Sequence, residues 1–149
     1  MQNIDTLFRT YKDDVYRLAV CYTRSMIEAE DVCQSVFLKL IEQPYIRPGK
    51  EKAWLMQVTA NQCRSLLRSA WWSKTEALDE TLSYDSLQNS YVLETVMGLS
   101  PKYRVVIYLH YYEGYSTKEI AKLLKISQSA VTTRLSRGRE LLKPQLEEV

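Results

Sequence analysis

Little in this chain breaks a helix. Four glycines and four prolines are spread over 149 residues. Leu, Lys, Glu, Arg and Gln, all good helix formers, recur throughout. An all-α chain is therefore expected. Cysteine is scarce as well: Cys21, Cys33 and Cys63 are odd in number and none is paired in C-x-x-C spacing. That argues against a zinc site or a disulfide framework and for reduced thiols. The lone histidine, His110, is expected to be a packed or surface side chain rather than a ligand, so no metal is expected. No run of eighteen apolar residues exists to span a membrane. The N-terminal MQNIDTLFRTYKDD has no basic segment leading into an apolar one, so no signal peptide is expected and the location expected is cytoplasmic. Paired carboxylates, Ser/His or Cys/His sets and a phosphate-binding glycine loop are missing too, so neither an enzyme, a cofactor nor a small-molecule substrate is expected. The formal net charge of +2 is too small to imply nucleic acid by itself. Any basic surface must come from local arrangement.

What is present is helical periodicity. Hydrophobic content of 46% is ordinary for a globular protein, and the length suits one domain or two small ones. Ile4, Leu7, Phe8, Tyr11, Val15, Leu18, Ala19 and Tyr22 recur at steps of three and four, one face of a helix. Ser25 followed by Glu28 has the spacing of a capping box. Ala29, Val32, Cys33, Val36, Phe37, Leu40 and Ile41 then form a second core stripe, which Pro44 should end. The opposite face carries Asp31, Gln34, Ser35, Leu38 and Lys39. A basic loop, Tyr45 to Lys52, is punctuated by Pro48-Gly49. The helix after it should turn Trp54, Leu55, Val58 and Leu66 inward. Its polar, positive stripe is Gln57, Asn61, Arg64 and Arg68. From Ser73 to Ser90 the chain is polar and acidic without a sustained period, and reads as a flexible linker.

A second helical unit begins at Tyr91. Val92, Val96 and Leu99 support a short helix, and Ser100-Pro101 suits the N-cap and first position of the next, expected to run to Gly114. Ser116 or Thr117 should cap a third helix with Ile120, Ala121, Leu123 and Leu124 inside. The last should run from about Ser127 to Leu142, ahead of Pro144. On a helical wheel Val131, Leu135, Gly138 and Leu142 fall within about 40° of one line, the buried seam. Ser129, Thr133, Ser136 and Glu140 face outward, flanked by Thr132 and Arg137. Two helices joined by a three-residue turn, with small Ala121 allowing a close crossing, have the helix-turn-helix layout. Short hydroxyls permit close approach to a DNA groove, and arginine reaches guanine edges or phosphates. Residues 118–143 carry Lys118, Lys122, Lys125, Arg134, Arg137, Arg139 and Lys143 against Glu119 and Glu140, a concentration suited to phosphate contact. Lys125 occupies the turn position where glycine is usual. A left-handed backbone there would cost about 1 kcal/mol, and a less tight turn would avoid it.

The segment LSPKYRVVIYLHYYEGYSTKEIAKLLKISQSAVTTRLSRGRELLK resembles region 4 of the sigma-70 family. AEDVCQSVFLKL resembles region 2.2 of that family, and AWLMQVTANQCRSLLR resembles regions 2.3 and 2.4. Both matches stand in the family's order, and without its regions 1 and 3 the chain looks like the compact extracytoplasmic-function (ECF) group. The resemblance implies two small all-α domains: region 2 over residues 4–72 and region 4 over 91–146, joined by 73–90. It implies core RNA polymerase, promoter DNA and an anti-sigma factor as partners. By resemblance, Asp31, Gln34 and Leu38 meet the polymerase clamp. Tyr45, Arg47, Lys50 and Lys52 lie in the loop that captures a flipped −10 base, and Asn61, Arg64 and Arg68 on the helix facing the single strand. Lys118, Ser127, Ser129, Thr132, Thr133, Arg134, Ser136 and Arg137 fall where region 4 reads the −35 element. Trp54 could stack on a base but fits the core better, and Trp71 and Trp72 are expected to pack. Three positions depart from the family pattern: Ser65 in place of aspartate, Ala130 in place of threonine, and Gly138 where alanine is common. They bear on which promoter is read more than on the fold. A stand-alone helix-turn-helix regulator is the competing reading, and it leaves the first three helices without a task. An accessory motif of a DNA-modifying protein is a third, disfavoured by the lack of an acidic cluster.

Overall fold

The computed structural model describes residues 3–43, 45–68 and 91–147. Pro44, the expected linker at 73–90 and the roles considered for Trp71 and Trp72 lie outside the described residues. The chain divides into two compact units, Met1–Leu82 and Ser83–Val149. Among the described residues there are seven helices and no strand: α1 (Ile4–Thr23), α2 (Met26–Glu42) and α3 (Glu51–Leu67) in the first unit, then α4 (Tyr91–Met97), α5 (Pro101–Tyr111), α6 (Thr117–Leu124) and α7 (Gln128–Glu147) in the second.

In the first unit the three helices pack pairwise on one another. Asn3 starts α1 by accepting from the amides of Asp5 and Thr6, and Arg24 ends it in the left-handed region at φ 56°. Ser25 caps α2 by accepting from Glu28 N at 3.2 Å. The reciprocal half of the expected box is absent, because Ser25 N donates instead to Thr23 Oγ1 at 3.2 Å. Leu7, Val15, Leu18, Ala19 and Tyr22 are buried as their spacing implied, but Phe8 is half-exposed and meets Phe37 edge-to-face at 5.0 Å. Ile41 was expected in the core and is 60% exposed. It stands on the flank of the stripe in the last turn of α2.

The inner face of α3 also differs from the expectation. Leu55, Met56, Thr59, Ala60 and Cys63 are buried, whereas Trp54, Val58 and Leu66 are only half-buried. Most of that face is built from small side chains, which let helices approach closely but add little to a hydrophobic period. The Thr59 hydroxyl is satisfied by donating to Leu55 O at 2.7 Å, as a buried hydroxyl must be.

In the second unit α4, α6 and α7 all contact α5, and α6 and α4 also contact α7. Leu93, Val96, Met97 and Leu99 are buried, but Val92 points outward. Arg104, 1% exposed, donates to Leu99 O at 2.7 Å and is thereby tied to the turn that joins α4 to α5. The α5 helix ends at Tyr111, three residues before the expected stop, and Gly114 follows at φ 75°. Tyr115 N donates back to Leu109 O at 2.9 Å across this turn, a use of left-handed glycine that satisfies terminal carbonyls. The α7 helix runs through Pro144 rather than ending before it. The carbonyl that loses its partner belongs to Glu140, an exposed residue, so water can take the bond.

Candidate nucleic-acid interface

The helix-turn-helix comprises α6 and α7. Ser116 and Glu119 form a complete capping box: Glu119 N donates to Ser116 Oγ at 3.1 Å, and Ser116 N donates to Glu119 Oε1 at 2.9 Å. At the other end Lys125 is left-handed, φ 59° and ψ 44°, and its amide donates to Ala121 O. Ile126 N reaches the same oxygen at 3.1 Å. The turn is therefore the tight one. Ser127 caps the next helix by accepting from Ala130 N at 3.0 Å. Gln128 Nε2 donates to Thr117 Oγ1 at 2.9 Å, clipping the first turn of α7 to that of α6.

Val131, Leu135, Gly138 and Leu142 are all buried, so the seam expected for α7 is the one that forms. Gly138 is there for closeness: a Cβ at this position would stand 3.0 Å from Ile107 Cγ1 and 3.1 Å from its Cδ1. With the seam fixed, Ser129, Thr132, Thr133 and Arg137 are exposed, while Arg134 and Ser136 are half-buried. Ser127, Ser129, Thr133, Arg134 and Arg137 converge on one open concavity of about 350 Å³. Lys102 and Tyr103, from α5, line it too. Neither is near this site in sequence, and their spacing in α5 carried no sign of it. Thr132 and Ser136 lie outside the concavity, as does Lys118, exposed on α6. The Thr132 hydroxyl donates to Gln128 O at 3.0 Å.

In the first unit, the loop before α3 is anchored by Ile46, buried between exposed Tyr45 and exposed Arg47. Gly49, at φ 84°, makes the turn closed by Lys50 N to Arg47 O at 3.0 Å. Tyr45 is 66% exposed and Gln43 Nε2 holds its carbonyl at 2.9 Å. Lys50 stands at the N-cap and Lys52 in the first turn of α3. Asn61 and Arg68 are exposed and Arg64 half-buried; Arg64 donates to Asn61 Oδ1 at 2.5 Å. The loop and this helix face thus present an aromatic ring, amides and cations, a mixture suited to unstacked bases and their backbone.

Asp31, Gln34 and Leu38 are all exposed on α2. Ile27 and Ile41, 70% and 60% exposed, extend the same line. Residues 27, 31, 34, 38 and 41 step by four and three, which is the seam by which a helix packs on another helix. The sequence pattern placed Ile41 inside and gave Ile27 no role, so neither end of this stripe was visible in it.

Known proteins resemble the chain along nearly its whole length. The family described as Sigma-70 region 2 matches residues 7–73, and Sigma-70, region 4 matches 90–142. The ECF RNA polymerase sigma factor SigW of Bacillus subtilis is 30% identical over 93% of this chain and 86% of its own length. SigX of the same organism is 26% identical over 98% of the chain and 84% of its own length. SigE of Mycolicibacterium smegmatis is 29% identical over 98% of the chain, which spans 62% of that longer relative. Among solved structures, the sigma factor RpoE bound to the anti-sigma factor NepR from Bartonella quintana shares the fold at a TM-score of 0.75 and 20% identity, over 96% of both chains. CnrH in complex with the cytosolic domain of CnrY does so at 0.67 and 23%, over 97% of this chain and 88% of that one. With both sigma-70 regions present in order, and a relative of this similarity matched over most of its length, the chain belongs to the sigma-70 family, in the ECF group of RNA polymerase sigma factors.

Proposed function

We propose that this protein binds core RNA polymerase through the outer face of α2 and directs it to promoters whose −10 and −35 elements it reads with different units. The exposed stripe of Ile27, Asp31, Gln34, Leu38 and Ile41 carries the reading most strongly. A lone DNA-binding protein has no use for a second, partly apolar helical seam on a separate unit, and leaving it in water is unfavourable. The Tyr45–Lys50 loop with Lys52, Asn61, Arg64 and Arg68 takes the opened −10 strand, and Tyr45 is placed to stack on a base. The outer face of α7, with Ser129, Thr132, Thr133, Arg134, Ser136 and Arg137, enters the −35 groove. Ser127 keeps its cap and offers its hydroxyl hydrogen to a phosphate, and Lys118 approaches the backbone from α6. The domains run over 4–72 and 91–146. RpoE and CnrH are each seen with a partner protein, NepR as an anti-sigma factor and CnrY, which supports an anti-sigma factor for this chain. The protein works in the cytoplasm, where the polymerase is, and contributes recognition rather than catalysis.

Run-off transcription with purified core enzyme tests the reading. The chain is expected to confer start-site-specific initiation and to bind promoter duplex only weakly by itself. Arg137→Ala should lower transcription from promoters that depend on the −35 element. Tight, sequence-specific duplex binding that core polymerase does not alter would instead identify a stand-alone regulator.

A further inference from the structure

Lys102 and Tyr103 belong to α5, outside the two helices of the helix-turn-helix, yet they line the concavity at the flank of α7 with Ser129, Thr133, Arg134 and Arg137. The closeness of α5 to α7 at Gly138 brings them there: Tyr103 Cβ lies 3.6 Å from where a Cβ on residue 138 would stand. Three cations, Lys102, Arg134 and Arg137, thus surround one open depression whose lining holds no carboxylate. Among the described residues no ion pair involves any of the three. The Lys102 ammonium is held 5.0 Å from the centroid of the Tyr103 ring. Ser100 makes no side-chain cap bond and Pro101 follows it, so the positive end of the α5 dipole is not neutralised by its own cap. Like charges gathered without a counter-charge repel, and an anion seated among them relieves that repulsion.

We propose that Lys102, Arg134 and Arg137 together seat one backbone phosphate of the DNA strand bordering the groove that α7 enters, which makes α5 a third helix of the duplex interface. The inference rests on the reading of α7 as the DNA-reading helix. A phosphate suits the site better than a base because Lys102 stands at the flank of α7, off its outer face, and lysine acts as a compact point charge. The contact positions the helix and carries no sequence information.

Holoenzyme assembled from the full chain and core polymerase is titrated with salt on promoter duplexes that differ in the −35 element. Lys102→Gln is expected to weaken binding equally on all of them and to make the slope of log K against log salt shallower by about 1. Lys12→Gln, on the exposed side of α1, should leave the slope unchanged. A neutral methylphosphonate is then placed at each backbone position in turn. At one position the wild type should lose affinity while Lys102→Gln loses nothing further. A wild-type slope and affinity for Lys102→Gln overturns the proposal, as does a loss confined to particular base sequences. A wild-type chain that binds duplex with no dependence on core polymerase overturns the sigma reading instead, and the slope comparison on that duplex still decides Lys102.

Discussion

Gly138 on α7 lies close against Ile107 on α5: a Cβ there would sit 3.0 Å from Ile107 Cγ1, so the isoleucine would have to give by a few tenths of an ångström. Ile107 is itself buried, 2% exposed, and has little freedom to yield. The α7 helix therefore gives up helix propensity, about 1 kcal/mol relative to alanine, to lie against α5.

Gly138→Ala is expected to destabilise the second unit by about 1 kcal/mol, since overpacking of about 1–3 kcal/mol outweighs the propensity gained. In an Ile107→Val background, which removes Cδ1 from the contact, the penalty should shrink. Denaturant unfolding of the four proteins of this cycle measures it, and equal penalties in both backgrounds would show that the neighbours move apart freely.

Lys125 supplies a backbone test. With φ at 59°, Lys125→Gly removes Cβ strain and gains flexibility in the unfolded chain, so the net stabilisation should be about 0.5 kcal/mol. Lys125→Ala keeps the strain and should show no gain. If alanine stabilises as much as glycine, the lysine charge rather than the backbone is responsible.

These comparisons also mark what the sequence discloses. The seam of Val131, Leu135, Gly138 and Leu142 is legible because side chains recur at the helical period, whereas the left-handed geometry of Lys125 is not, since the sequence also allows a less tight turn there. The inner face of α3 is not, since Thr59, Ala60 and Cys63 are buried for their smallness rather than their hydrophobicity. Ile41 misleads in the opposite sense, an apolar side chain spent on the surface. Lys102 is invisible to any local pattern because its place in the site depends on how closely α5 approaches α7.

On α2, Asp31→Ala together with Gln34→Ala is expected to weaken binding to core polymerase by about 1–2 kcal/mol, the usual scale for truncating contacting residues at an interface. Both side chains are exposed, so stability should change by no more than about 0.5 kcal/mol. Competition for core enzyme against a labelled sigma factor, beside a thermal melt, separates the two effects. Unchanged competition would remove α2's outer face from the interface.

The cysteines give a pH prediction. Burial, and then the Glu30 carboxylate, push the Cys33 thiol up to about 12. Burial, followed by Cys21 and Cys33, raises Cys63 further. The unfolded thiols ionise near about 8.5, so the folded state holds its protons longer than the unfolded state. Stability from this source is complete below that pH and is lost as pH rises through the interval up to the folded values. Urea unfolding at pH 8 and pH 10 should show a fall that is smaller in Cys63→Ala than in the wild type. A fall of the same size in both would mean that other groups account for it.

Thr132 and Thr133 stand side by side on α7, but they would offer different chemistry to a base pair in the groove proposed for this helix. Thr132 has already committed its hydroxyl hydrogen to Gln128 O, so it presents lone pairs and a methyl group. Those suit the amino group of adenine or cytosine, or the thymine methyl, and have nothing to give the acceptor-only edge of guanine. Thr133 makes no such backbone bond and remains able to donate. If α7 enters the groove as proposed, two chemically identical neighbours become unlike letters of its surface through one bond inside the helix.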